Sequence, residues 1–127
     1  MKNNSKVILV LLLILMILFS IFMGVKTNLG WFSLYGGEIE GPISELKRGL
    51  FPTYKMPIWI MLLVTHCFLI SLPIWLNYTN FRRLLIFVPL VFIFLSTVLE
   101  PGDIFFLVPF MAVWLITLVK QNKMQTN

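Results

Sequence analysis

Four stretches of this chain run without Asp, Glu, Lys or Arg for long enough to constrain everything else. Val7–Val25 and Ile58–Leu76 are 19 residues each, and Leu84–Leu99 and Ile104–Val119 are 16 each. A helix rises 1.5 Å per residue, so crossing a hydrocarbon core takes roughly 17 to 25 residues. The first two stretches suffice alone. The last two suffice with their ends included, Asn80 to Arg83 before the third and Asp103 and Lys120 around the fourth, and Arg82 and Arg83 can snorkel to the interface. Only 12% of the 127 residues are charged and 59% are hydrophobic. A soluble domain carries about 25% charged residues, so this chain cannot cover its own surface with polar groups. The expectation is an all-α integral membrane protein, a four-transmembrane-helix bundle forming one domain over 1–127. Its segments fall at about 7–25, 58–77, 82–99 and 103–120, with a 32-residue outer loop at 26–57.

Lys2 and Lys6 precede the first segment as they would a signal peptide. Signal h-regions are shorter, roughly 7 to 15 residues, and end at a small-x-small site that "SIFMGVKTN" lacks. The segment is therefore expected to stay as an uncleaved anchor. With a cytoplasmic N-terminus and four crossings, Lys2, Lys6, Arg82, Arg83, Lys120 and Lys123 lie inside. Lys26, Lys47, Arg48, Lys55 and all five acidic residues lie outside. The sides carry +6 and −1, and together give the net charge of +5. Basic residues in short loops set orientation, so the Arg82–Arg83 connection places both termini in the cytoplasm. The expected location is a cell membrane. The Lys- and Asn-rich ends and the single alanine, Ala112, suggest a bacterial source.

The basic residues sit in ones and twos beside apolar segments, with no basic stripe or stacking platform, so nucleic acid is not an expected partner. They read as anchors for anionic lipid. One cysteine excludes an intrachain disulfide. No P-loop, dinucleotide fingerprint, HExxH, GxSxG or CxxC occurs, and no cofactor is expected. Four-helix multidrug exporters of similar length carry a glutamate in their first helix, and this chain has none there.

In the loop, Gly36-Gly37 is expected to close a tight hairpin. "GPISELKRGLF" reads as a short amphipathic helix with Pro42 at its start, Lys47 and Arg48 late, and Gly49 as its stop. Ile43, Leu46 and Leu50 form its apolar stripe, expected on the outer leaflet or the bundle. Trp31, Tyr35 and the Glu38/Glu40 pair are a candidate surface for an extracellular partner, although interfacial aromatics need no partner. In "LEPGDIF", Pro101 and Gly102 are expected at the centre of a type II turn, with Asp103 capping the fourth helix. Glu100 and Asp103 would then meet at the outer surface as a weak cation site or, preferably, as turn and cap, since calcium takes six to eight oxygens. Pro73, Pro89 and Pro109 read as structural kinks whose freed carbonyls neighbouring groups satisfy.

His66, the one histidine, falls near the midplane of the second segment beside Cys67. Intramembrane ionisable groups are functional candidates, here as proton relay, haem ligand or metal ligand. The other three segments hold no titratable Asp, Glu, Lys, Arg or His to join it. Adjacent helical residues point about 100° apart, so Cys67 does not complete a nucleophile pair. The preferred reading is a hydrogen-bonded residue, with Thr65, Ser96 and Thr97 as nearest polar neighbours in depth.

The functional expectation is a non-enzymatic accessory, assembly or immunity-type protein acting through the bilayer and a membrane-protein partner. The alternative is a transporter, channel or flippase subunit working as a homo-oligomer. His66→Ala is expected to lower stability in detergent while leaving cellular function largely intact, measured by thermal unfolding beside a complementation assay.

Overall fold

The computed structural model describes the backbone of residues 2–22, 24–27, 30–33 and 36–126, and side-chain surroundings for 4–22 and 38–125. Four helices are long and apolar enough to cross a membrane. They are α1 (Lys2–Phe22), α3 (Met56–Ser71), α4 (Phe81–Leu99) and α5 (Asp103–Thr126). Between α1 and α3 lie a two-stranded hairpin, β1 (Gly24–Thr27) with β2 (Gly30–Ser33), a π-helical turn at Gly36–Glu40, and the short helix α2 (Gly41–Lys47). Short 3-10 turns at Thr53–Lys55 and Leu72–Trp75 flank α3.

Each long helix buries one stripe and leaves the rest of its apolar surface outside. On α1 the stripe is Leu9, Leu13, Met16 and Ser20; on α3 it is Leu62, His66 and Leu69. These intervals of three and four residues trace one face of a helix. On α4 they join Phe81, Leu85, Pro89, Phe92, Ser96 and Leu99. On α5 they join Asp103, Leu107, Phe110, Val113, Thr117 and Gln121. Side chains such as Phe105 and Ile74, about 80% exposed, face away from the bundle. Such an apolar exterior suits lipid rather than water.

The helices pack α1 on α5, α5 on α4 and α4 on α3. A hydrogen bond between Ser20 and His66 joins α1 to α3 and closes the ring. Lys55, just before α3, lies 3.7 Å from Glu100, just after α4. That contact puts the 100–102 connection at the same end as the long loop. Ser5, Leu76 and Gln121 gather at the opposite end.

Several loop expectations need correction. The first helix begins at Lys2 and ends at Phe22, and Gly24 and Val25 belong to β1 instead. The hairpin pairs Gly24 with Ser33 and Thr27 with Gly30, so it lies before Gly36-Gly37 in the chain. Gly36 and Gly37 open the π-helical turn rather than a hairpin. The third segment-to-segment turn is closed by Asp103 N–H donating to Glu100 O, but it is not type II. A type II turn needs positive φ at Gly102, and the positive-φ glycine among the described residues is Gly49.

Gly49 does what the sequence suggested. Its φ of +69° ends α2 in a Schellman motif: Gly49 N–H donates to Leu46 O and Leu50 N–H to Glu45 O. Pro42 lies in the first turn of α2 and is buried. The stripe of Ile43, Leu46 and Leu50 is exposed, which leaves it free for the leaflet and not packed on the bundle.

Proline shapes the packing inside. Pro89 has no N–H to give Leu85 O, four residues earlier. The Trp114 indole on α5 donates to that carbonyl at 2.7 Å. At Pro73, the 3-10 turn lets Leu72 N–H reach Leu69 O as α3 ends. Trp114→Phe should therefore leave Leu85 O unpaired and cost about 1 kcal/mol. In a Pro89→Ala background the helix can satisfy its own carbonyl, so the same change should cost clearly less. Unfolding of the four variants in detergent measures this, and equal costs in both backgrounds would refute the pairing.

Candidate functional site

The loop sends a carboxylate into the bundle. Gly36–Glu40 forms one wide helical turn, and residues two apart on such a turn point to nearly opposite sides. Glu38 thus faces inward, fully buried, while Glu40 is exposed. The Trp59 indole on α3 donates to Glu38 O at 2.6 Å and holds the turn against the helix. Glu38 Oε2 lies 3.0 Å from His66 Nδ1. On the other side of the ring, His66 Nε2 lies 3.0 Å from Ser20 Oγ. Phe92 on α4 packs beside the imidazole, with ring centroids 4.8 Å apart.

His66 is therefore the centre of a chain from the loop through α3 to α1. It lies ten residues into α3, about 15 Å along the helix. The Ser20 hydroxyl donates to Ile17 O at 2.7 Å. With that proton spent, Ser20 Oγ accepts from Nε2–H. One proton then lies between Nδ1 and Glu38 Oε2. Whichever atom holds it, the pair carries no net charge, as a hydrocarbon interior favours. Glu38 Oε1 is buried without a hydrogen-bond partner.

The surroundings of His66 thus correct the sequence reading in two ways. The expected neighbours are occupied elsewhere: Thr65 donates to Met61 O, Thr97 to Ile93 O and Ser96 to Asp103 Oδ2. The missing titratable partner is supplied by the loop, not by another segment. The sequence reads Glu38 with Glu40 as part of an exposed outer-loop surface, whereas the structure buries its side chain within the bundle. Ser20 was missed altogether. It continues the buried stripe one turn after Met16, but an apolar helix does not announce from sequence which face is buried.

The acidic turn also divides. Glu100 is exposed and pairs loosely with Lys55, whose Nζ also donates to Leu99 O at 3.4 Å. Such an exposed pair contributes little. Asp103 is buried rather than at the surface, and Ser96 is its partner one helix away. Glu38 and Asp103 lie close enough to interact electrostatically. Trp31 lies on β2, but its side chain and all of Tyr35 fall outside the described residues. Among the described residues, no group of three or more His, Cys, Asp and Glu is placed to hold a metal ion. Cys67 is exposed, on a different face from His66.

A cavity of about 320 Å³ opens between α2 and the 100–103 turn. Phe51 and Phe106 give it apolar walls, and Glu45, Lys55, Glu100 and Asp103 supply charge. Comparison with protein-family models, curated proteins and solved structures finds no match for this chain.

Removing one member of a buried pair leaves the other uncompensated. His66→Ala and Glu38→Ala should each cost about 3 kcal/mol, and Ser20→Ala about 1. The Glu38/His66 double variant should cost less than the sum by about 1–3 kcal/mol. A double-mutant cycle by chemical unfolding in detergent reads the coupling, and strict additivity would sink the clamp.

Proposed function

We propose that the chain is a multi-pass protein of the cell membrane, with both termini cytoplasmic, that performs no chemistry of its own. It acts by presenting a fixed loop surface to a membrane partner. The orientation rests on the basic residues of the Arg82–Arg83 connection and on the two ends of the chain. The observation that carries the function is the burial of Glu38. Placing a carboxyl group deep among helices is expensive unless it is paired. Here the pairing locks the π-helical turn, and with it α2, over the end of the bundle. A loop held this way has lost its conformational freedom before binding, so a partner need not order it.

The connectivity of Ser20, His66 and Glu38 is that of a hydrolytic triad, with hydroxyl on Nε2 and carboxylate on Nδ1. A nucleophile must also meet a reacting atom at about 3 Å. Ser20 is wholly buried and His66 is 7% exposed, which favours a clamp over a reaction centre. The cavity beside α2 offers a partner a place for one apolar side chain with a polar end. A second reading, a transporter subunit working as an oligomer, draws on the same ionisable pair, since such groups also line proton routes.

Mild extraction from the native membrane, a native gel and mass spectrometry of co-migrating chains test the proposal. The expected result is a stoichiometric unrelated chain with wild type, lost with Glu38→Ala and equally with His66→Ala, against the expectation from sequence that function survives the histidine change, while helical content by circular dichroism is kept. A homo-oligomer alone, passing a solute in liposomes, would overturn it in favour of transport.

A further inference from the structure

Ser20 decides what the far side of the His66 ring must do. Its hydroxyl donates to Ile17 O at 2.7 Å, so it meets His66 Nε2, 3.0 Å away, as an acceptor. Nε2 therefore carries the hydrogen. A neutral imidazole carries only one, which leaves Nδ1 with a lone pair. Nδ1 lies 3.0 Å from Glu38 Oε2. A bare carboxylate there would set lone pair against lone pair. The contact is a hydrogen bond only when a further proton sits on Glu38 or on Nδ1. Glu38 Oε1 is buried without a donor, so nothing on that side supports a bare carboxylate either.

The groups around the pair act in the same direction. α1 presents Ser20 and α4 presents Phe92, neither of which titrates. α5 presents Asp103, whose carboxyl group interacts electrostatically with Glu38. Glu100 also acts on Asp103, and Lys55 is paired with Glu100. α2 carries Glu45, in the wall of the cavity that Asp103 also lines. Among the described residues no Lys or Arg forms an ion pair with Glu38 or Asp103. A pair without its proton would face a second carboxyl group with no cation to offset it. With the loop lifted, water hydrates both partners, and a hydrated imidazole and carboxylate hold no proton well above about pH 6.5. We infer that the loop latch is proton-linked: it closes with the uptake of one proton and loosens as the pH rises. Resting on the clamp and the loop surface proposed above, this link regulates both. Between about pH 5 and 6.5 the lifted His66 already holds a proton, so closure is insensitive to pH there. Above that range the closed state holds one proton more than the lifted one, and closure weakens by at most about tenfold per pH unit.

The test is hydrogen exchange of the backbone amides of residues 38–47, in the full chain in mild detergent, from about pH 6 to about pH 9. Dividing by the rate of an unstructured peptide at each pH removes the intrinsic dependence. Wild-type protection should be level near about pH 6 and fall by about tenfold or more between about pH 7 and 9, while amides of α4 keep theirs. In Glu38→Gln the side-chain amide donates to Nδ1 without an added proton, so loop protection should be level throughout. Ser20→Ala frees Nε2, so the ring hydrogen can move to Nδ1 and bond a carboxylate, and the fall should shrink to about threefold or less. Should Glu38→Gln fail to fold, Ser20→Ala alone decides. Level protection in wild type, or a fall unchanged in either variant, would overturn the proton link. Partner capture separates this from the reading beneath it. Capture with level protection refutes the link alone, and a proton-dependent loop that captures nothing refutes the partner alone.

Discussion

The hydrogen bond between Glu38 and His66 holds the loop end of this molecule together, and its strength follows from where it lies. In water, an imidazole and a carboxyl group at 3.0 Å would gain little over their separate hydration. Between helices whose other surfaces are apolar, each is left with the full penalty of burial if the other departs. The loop is thereby tied to α3, and Ser20 ties α3 to α1. The turn at Gly36–Glu40 makes the geometry possible, because it aims Glu38 inward while Glu40 stays exposed. Trp59 reinforces it by holding the backbone of the same residue.

The rest of the bundle settles its polar groups either on their own helix or with one neighbouring helix. Thr65, Thr97 and Thr117 donate to carbonyls four residues back on their own helices, so they need no partner across the bundle. The carbonyl freed by Pro89 is answered by Trp114. Two buried oxygens stand outside this pattern among the described residues, Glu38 Oε1 and Gln121 Oε1. They lie toward opposite ends of the bundle. One belongs to the Glu38–His66 pair, and the other to a residue on α5 at the end opposite the loop.

How much could be read beforehand depended on the range of the interaction concerned. α2 and its Gly49 stop were legible because proline, late basic residues and a left-handed glycine act within one or two turns. Pro101-Gly102 was legible as a turn but not as to type, since glycine permits positive φ without requiring it. The hairpin was misplaced for the same reason: Gly36-Gly37 permits a tight turn, and the chain uses it to enter a helical one. His66 was correctly identified as a hydrogen-bonded residue, but with the wrong partners. Depth along neighbouring segments suggested Ser96 and Thr97, and nothing in a linear reading allows for a loop that folds back into the bundle.

The sequence by itself determined that four helices are long and apolar enough to cross a membrane. It could do so because hydrophobicity is carried residue by residue, and length alone decides whether a helix can span hydrocarbon. It also determined where charge gathers along the chain. Tertiary structure alone decided which face of each helix is buried. A helix apolar on every side has no amphipathic signal to show it, so Ser20 and His66 took their meaning only once their neighbours were in place. It alone brought Glu38 to His66, 28 residues away, because that contact depends on how a loop turns over the end of a bundle and not on any local pattern.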